Sequence, residues 1–177
     1  MIGVLVSGEG TNLQALVDAG LPVRAVASNR VGARALARAE QAGIAAAVFQ
    51  LDAYDSRDER DEAMAAWLAS QGVELVVCAG YMHLLTPAFL ARYPGRIVNV
   101  HPSLLPEFPG ARAIDDALAA GVETTGVTVH LVDEGLDTGD VIRQEPLPVE
   151  PRDTLTERIQ AIEHRLLPEV VRELCVH

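Results

Sequence analysis

The feature that most constrains the fold is the regular alternation of short apolar runs with amphipathic segments. The apolar runs have the length of strands and lie at 2–6, 23–27, 46–49, 74–79 and 96–100. Between them, helical patterns cover about 12–19, 32–42, 57–70 and 86–92. Strand–helix–strand repetition requires right-handed crossovers, which place parallel strands in one sheet with helices on its faces.

The pattern changes after residue 120. Two strand-like stretches, TTGVTVHLV and DVIRQEPLPV, are separated by only a short polar turn. This spacing predicts an antiparallel hairpin at one edge of the sheet. A last helix is expected over about 153–174, after Pro148 and Pro151. The sequence therefore predicts an α/β fold with a mostly parallel sheet and a C-terminal hairpin.

Length and charge restrict the partners of the chain. Its 177 residues suit one domain, and its net charge of −11 argues against binding to nucleic acid. No apolar run approaches the ~18 residues of a membrane span. An anionic substrate would have to be held by local donors, such as a helix N-terminus, because the whole-protein charge repels it.

The N-terminal sequence and the number of cysteines indicate in which cellular compartment the protein resides. The stretch MIGVLVSGEG has no basic region and is typical of a first strand rather than a signal peptide. Cys78 and Cys175 are too few for a disulfide framework and indicate a reducing environment. We therefore expect a cytoplasmic protein.

The loop VSGEGTNLQAL, residues 6–16, joins the first strand directly to a helix. Gly8 and Gly10 permit a tight turn and the close approach of a ligand, and Thr11 or Asn12 can cap the helix. The loop lacks the third glycine of a dinucleotide fingerprint and the Gly-Lys-Ser/Thr of a Walker A motif. It is either a capped tight turn or a small phosphate site.

The stretch NVHPSLLPEFPG, residues 99–110, holds a titratable ring in a stiff segment. Asn99 and His101 lie on one face at the carboxyl end of the fifth strand, where parallel α/β sheets bind ligands. Pro102 confines His101 to extended backbone, and two later prolines stiffen the rest of the segment. An amide beside an imidazole is suited to stabilising an oxyanion, although a structural histidine at a strand end remains the alternative.

This block resembles the signature of the folate-dependent formyltransferases. Four further stretches extend the resemblance over residues 2 to about 173: SGEGTNLQAL, SNRVGARALARAEQAGI, VVCAGYMHLLTPAFL and GVTVHLVDEGLDTGDVI. The first loop is similar to that of the members that formylate glycinamide ribonucleotide in purine synthesis. The resemblance implies one Rossmann-like domain, 1–177, with a phosphate-binding half at about 1–95 and a catalytic and folate-binding half at about 96–177.

The resemblance implies transfer of a formyl group from 10-formyltetrahydrofolate to the amine of glycinamide ribonucleotide, without an acyl-enzyme. The implied catalytic residues are Asn99, His101 and Asp137. Asn99 and His101 would stabilise the oxyanion, and the carboxylate of Asp137 would favour the charged form of His101. The residues alone do not select Asp137, because VDEGLDTGD also offers Asp133, Glu134 and Asp140.

The implied binding residues fall into two groups. The folate co-substrate would contact Arg57, Met82, His83, Leu84 and Leu85, together with Asn99. The ribonucleotide would be held by Gly10, Thr11, Asn12 and Glu163. Glu163 also stands out in the sequence, because it falls on the apolar stripe of the last helix, where a carboxylate needs a partner. That partner is either the substrate or a salt bridge at the edge of the stripe.

Other functions remain as alternatives. A formyltetrahydrofolate hydrolase would keep Asn99, His101 and Asp137 but use water as the nucleophile, and a folate-binding module would have no turnover. Formylation of methionyl-tRNA normally requires an additional RNA-binding domain. The five histidines lack His-x-x-x-His spacing, so no metal is expected. The expected partners are small molecules, and the chain is expected to be a monomer or a homodimer.

Overall fold

The computed structural model describes residues 1–176. Its strands are β1 (Ile2–Val6), β2 (Val23–Ser28), β3 (Ala45–Val48), β4 (Leu75–Cys78), β5 (Ile97–His101), β6 (Thr124–Leu131) and β7 (Val141–Pro148). Hydrogen-bonded neighbours follow the order β3-β2-β1-β4-β5-β6-β7. The pairs β1–β2, β1–β4 and β2–β3 are parallel, whereas β6 and β7 are antiparallel. The prediction of a mostly parallel α/β sheet with a C-terminal hairpin is therefore confirmed.

The chain divides into two compact units, Met1–Val98 and a second that begins at Asn99. The first unit contains the helices α1 (Thr11–Asp18), α2 (Arg34–Gln41), α3 (Arg57–Ser70) and α4 (Pro87–Arg92). All five residues of β1 and all four of β4 are buried. Such continuous burial is typical of central parallel strands that are covered on both faces.

Helix α3 begins where the sequence provides a cap. The hydroxyl of Ser56 accepts a hydrogen bond from the backbone N–H of Glu59, and the Glu59 carboxylate accepts one from the N–H of Asp55. The first bond satisfies a donor that the first turn of a helix leaves open, and the second ties the residue before the cap to the same turn. They fix the start of α3, and thereby the positions of Arg57 and Arg60 in its first turn.

The second unit contains α5 (Ala113–Ala120) and α6 (Leu155–Cys175), and α6 packs on β6. Helix α6 buries an apolar stripe that includes Leu155, Ile159, Leu166 and Val170. Val127 and Val129 of β6 are fully buried. Within residues 1–176, no helix is long and apolar enough to cross a bilayer.

Two expectations about local structure are wrong or incomplete. Helix α5 was not predicted, since its buried residues are only Ala113 and Ala117, too small to produce a visible apolar stripe. The α1 cap is Gly10 rather than Thr11 or Asn12, which lie inside the helix.

Candidate active site

His101 ends β5 and is nearly enclosed, with 5% of its surface exposed. The segment 102–110 folds back over it, so that Nε2 of the ring lies 2.8 Å from the carbonyl oxygen of Phe108. A carbonyl oxygen only accepts hydrogen bonds, so Nε2 carries the proton in this contact. The other ring nitrogen, Nδ1, faces Asp137.

Asp137 lies in the connection between β6 and β7, in a left-handed backbone conformation (φ 54°). Its Oδ2 accepts a hydrogen bond from the N–H of Gly110 at 2.8 Å and lies 3.4 Å from Nδ1 of His101. Only 11% of the Asp137 side chain is exposed. The connection is tight at Gly139, where a Cβ atom would come within 1.8 Å of the carbonyl oxygen of Leu131. The structure therefore brings Asp137 and His101 together.

The second carboxylate oxygen of Asp137 faces two further groups. Its Oδ1 lies 3.4 Å from the amide nitrogen of Asn99 and 3.6 Å from Nε2 of His130. The Asn99 amide nitrogen also lies 3.2 Å from Nε2 of His130. Nδ1 of His130 lies 2.8 Å from the carbonyl oxygen of Leu131, so Nδ1 carries a proton, and Nε2 faces both the Asn99 amide and the Asp137 carboxylate.

The environment of Asp137 keeps its carboxyl group ionised. Burial alone would raise the pKa of Asp137, but the hydrogen bond with His130, the N–H of Gly110 and the charge of His101 outweigh burial and lower the pKa. A carboxylate at this position is therefore available to stabilise a positive charge on a neighbouring imidazole.

The segment that covers His101 is anchored by Thr128 of β6. The buried Thr128 hydroxyl donates to the carbonyl of Ser103 at 2.7 Å and accepts from the N–H of Leu105 at 3.1 Å. It also accepts from the Gln144 side chain at 2.9 Å. Because this hydroxyl ties the segment to β6, it helps to fix Phe108 and Gly110, whose backbones contact His101 and Asp137.

The first loop has the geometry of a close backbone approach. Gly10 is left-handed (φ 74°), and a Cβ atom there would lie 2.6 Å from Cβ of Ala35. It is the N-cap of α1, and no side chain caps the helix. The first N–H groups of α1, from Thr11 and Asn12 onward, are of the kind that binds anions at helix N-termini.

The segment 82–85 presents apolar side chains on a fixed main chain. Met82 and Leu84 are 54% and 46% exposed, whereas Leu85 is buried. The guanidinium of Arg57 donates to the carbonyl of Leu84 at 2.5 Å. These residues therefore form an apolar surface that Arg57 holds in place from α3.

Glu163 lies in α6 with 9% of its surface exposed, among the buried apolar residues of the helix. The prediction that it falls on the apolar stripe is confirmed. Its role in binding substrate stays a prediction.

His130 is the residue of the cluster that the sequence analysis missed. A histidine between Val129 and Leu131 in β6 was the available signal, but nothing in the sequence connects it to Asp137 or Asn99. Among residues 1–176, no group of three histidine, cysteine or acidic side chains is arranged to hold a metal ion.

Comparison with known proteins adds independent evidence. The formyl transferase family model matches residues 1–171. Phosphoribosylglycinamide formyltransferase of Mycobacterium tuberculosis H37Rv is 45% identical over 184 residues, covering 98% of this chain and 84% of the relative. The protein of the same name from Escherichia coli K12 is 43% identical over 179 residues, covering 96% and 84%. The crystal structure of glycinamide ribonucleotide transformylase 1 from Symbiobacterium toebii matches with a TM-score of 0.94 and 47% identity, covering 97% of this chain and 85% of that one.

Proposed function

The chain belongs to the formyl transferase family, and on that premise we propose that it formylates glycinamide ribonucleotide in de novo purine biosynthesis. The formyl donor is 10-formyltetrahydrofolate, and the products are formylglycinamide ribonucleotide and tetrahydrofolate. The reaction takes place in the cytoplasm and needs no metal ion. The names of the relatives that match nearly the whole chain support this activity.

The observation that carries the proposal is that Asp137 is shared by two candidate oxyanion donors. Its carboxylate lies 3.4 Å from the His101 ring and 3.4 Å from the Asn99 amide. An oxyanion site needs donors that are already oriented before the charge develops, because orienting them during the reaction would cost free energy. A common carboxylate orients both side chains.

The reaction is a direct attack by the substrate. The ribonucleotide amine attacks the formyl carbon, forming a new C–N bond and a tetrahedral oxyanion. Collapse of this intermediate breaks the bond between the formyl carbon and N10 of the folate, and the proton lost by the amine is delivered to that nitrogen. Since the nucleophile belongs to the substrate, no acyl-enzyme forms.

His101 acts as an imidazolium in this proposal. Each of its ring nitrogens faces an oxygen acceptor, Phe108 or Asp137, and only the doubly protonated ring presents an N–H to both. When the substrates bind, before the oxyanion develops, His101 exchanges its bond to the neutral Phe108 carbonyl for the position that the negative oxygen will occupy. Each oriented donor of this kind is worth roughly 3 kcal/mol of transition-state stabilisation.

Asn99 supplies the second, neutral donor. In the structure its amide nitrogen faces His130 and Asp137, so it also exchanges one contact to reach the oxyanion. Such rearrangement on substrate binding is common, because catalytic hydrogen bonds often tighten only in the reacting complex.

The remaining predicted residues bind the two substrates. The N–H groups at Gly10, Thr11 and Asn12 hold the ribonucleotide phosphate, and Glu163 holds its ribose or amine. The folate lies against Met82, His83, Leu84 and Leu85, with Arg57 and Asn99 as polar contacts. The exposed apolar side chains at 82 and 84 support this assignment, since ligand pockets are lined mostly by apolar groups.

The test mixes the protein with glycinamide ribonucleotide and 10-formyltetrahydrofolate and follows the release of tetrahydrofolate. We expect release that depends on the ribonucleotide, together with one formylated ribonucleotide for each tetrahydrofolate. Equal release without the ribonucleotide would identify a hydrolase. Binding of folate without release in either mixture would identify a binding module.

A further inference from the structure

A fully buried ion pair lies next to the segment 82–85 in the first unit. Arg60 and Asp61 are both 0% exposed, and Nε of Arg60 lies 2.5 Å from Oδ1 of Asp61. The other oxygen of Asp61 accepts a hydrogen bond from the N–H of Thr86 at 2.8 Å. Breaking one partner away from a buried pair leaves an uncompensated charge, which is strongly destabilising. Arg60 is therefore a fixed point against which neighbouring groups are held.

His83 is the third group on this buried guanidinium. Nη1 of Arg60 lies 3.1 Å from Nδ1 of His83, whereas Nη2 is buried without a hydrogen-bond partner among residues 1–176. A guanidinium has donors and no acceptor, so the Nδ1 atom of His83 must carry a lone pair. The ring that makes this bond is therefore the neutral tautomer with its proton on Nε2.

Three consecutive residues of the segment 82–85 are each held by a hydrogen bond to a residue outside the segment. The N–H of Met82 donates to the hydroxyl of Ser7 at 2.9 Å, the ring of His83 accepts from Arg60, and the carbonyl of Leu84 accepts from Arg57. The central anchor is the only one of these three whose acceptor is an imidazole nitrogen, which protonation removes.

We propose that His83 is a positioning residue for the folate co-substrate: its uncharged ring, held by Arg60, fixes the main chain of 82–85 against which the folate lies. The inference rests on the proposed function, because it takes this segment as the folate-binding surface. His83 acts through the segment, whether or not its own ring touches the ligand.

The charges around His83 favour the neutral ring. Burial lowers its pKa first, and the nearby cations Arg60, Arg57 and Arg30 lower it further, whereas Asp61 opposes them. The ring also meets the edge of the Tyr81 ring, with centroids 5.9 Å apart, and the Asn29 amide nitrogen lies 3.4 Å from Nε2 and 3.5 Å from Nδ1. A proton on Nδ1 would point at the Arg60 guanidinium, so protonation breaks the central anchor.

Protonation of His83 should therefore weaken folate binding. The pKa lies below the usual 6.5, so the neutral ring predominates at pH 7.5 and affinity is retained there. Below the pKa of His83, the fraction of the protein with a neutral His83 ring falls. The affinity for folate falls with this fraction, by up to about tenfold per pH unit.

Two substitutions separate this role from a general structural one. His83→Asn places a carbonyl oxygen near the Nδ1 position and does not titrate, whereas His83→Leu has a similar size and no acceptor. The dissociation constant for tetrahydrofolate is measured by titration calorimetry for the full-length wild type and both variants, from pH 7.5 to 5.5. At each pH, the dissociation constant of the wild type is divided by that of His83→Asn. This ratio cancels the effect of every other titrating group, because both proteins share those groups.

We expect this ratio to rise as the pH falls from 7.5 to 5.5, by no more than about tenfold, because the His83 pKa lies below 6.5. His83→Leu should bind tetrahydrofolate several fold more weakly than wild type at pH 7.5. The ratio of its dissociation constant to that of His83→Asn should not change with pH. Identical pH dependence of wild type and His83→Asn, or full affinity of His83→Leu, would overturn the role of His83. If His83→Leu does not fold, the comparison of wild type with His83→Asn still decides. Absence of tetrahydrofolate binding in every protein at every pH would instead refute the proposed function, and this inference with it.

Discussion

Asp137 is the residue on which the candidate active site depends, because its carboxylate meets Asn99, His101, His130 and the N–H of Gly110. Asp137→Asn keeps the size of the side chain, and asparagine tolerates the left-handed backbone at this position. It removes the negative charge that stabilises the imidazolium. We expect kcat/KM for formyl transfer to fall by about 10²-fold or more, measured from the release of tetrahydrofolate.

The matched control for this substitution is Glu134→Gln, which changes an exposed carboxylate in the same connection. It should leave kcat/KM within about twofold of wild type, since surface changes away from structural features have small effects. Equal losses in the two variants would show that the connection as a whole, and not the Asp137 charge, supports activity.

The lowered pKa of Asp137 also predicts a dependence of stability on pH. A group whose pKa is lower in the folded chain stabilises it fully above the unfolded value, here 3.8, and loses that contribution as the pH falls through the folded value. The difference in free energy of unfolding between wild type and Asp137→Asn should persist at pH 5 and shrink below pH 3.8. Urea unfolding at a series of pH values measures it, and a difference already lost at pH 5 would contradict the lowered pKa.

The cluster could be only partly predicted from the sequence, for a physical reason. Asn99 and His101 are two residues apart on a strand, so their common face follows from the period of the strand. Asp137 was selected by resemblance among four acidic residues, since its position depends on a left-handed turn and on the N–H of Gly110, 27 positions away. His130 was missed because only the register between strands brings it to Asn99.

At the scale of elements, β6 holds the segment 102–110 through one hydroxyl. Thr128→Val keeps the shape of the side chain but leaves the buried N–H of Leu105 without its acceptor and the carbonyl of Ser103 without its donor. Stranding such buried groups costs about 1–3 kcal/mol in the free energy of unfolding. Activity should fall as well, because the backbone of the same segment contacts His101 and Asp137.

The same strand provides the control. Thr125 is as buried as Thr128, at 1% exposed, but its hydroxyl has no hydrogen-bond partner among residues 1–176. Thr125→Val removes an unsatisfied polar group and should be neutral or stabilising. Urea unfolding of both variants gives the comparison, and similar free-energy changes for the two would exclude a special role for the Thr128 hydroxyl.

Element types were predictable where the pattern is carried by large side chains. The period of β1, β2, β4 and β5 follows from valine, leucine and isoleucine spacing, and the structure places these strands within two residues of the predicted bounds. Helix α5 was missed because Ala113 and Ala117 bury little surface. The cap at Gly10 was missed because it depends on a positive φ and on the close approach of Ala35, which spacing does not reveal.

At the scale of the whole molecule, the net charge of −11 conflicts with an anionic substrate. The first loop opposes this charge locally, because Arg34 and Arg38 of α2 bond to the carboxylate and the carbonyl of Glu9. Contacts at hydrogen-bond distance are screened little by salt. Repulsion from the rest of the surface acts over longer distances, and at 0.1 M salt it is screened beyond about 10 Å.

Moderate salt should therefore accelerate the encounter with the ribonucleotide. We expect kcat/KM for glycinamide ribonucleotide to rise about twofold to fivefold between 10 and 100 mM potassium chloride at constant pH. The value of kcat at saturation should not change, because screening affects the encounter and not the chemistry in the bound complex. Initial rates over a series of salt concentrations measure both constants. A steady fall of kcat/KM over the same range would show that the cations near the first loop, and not the net charge, control the approach of the substrate.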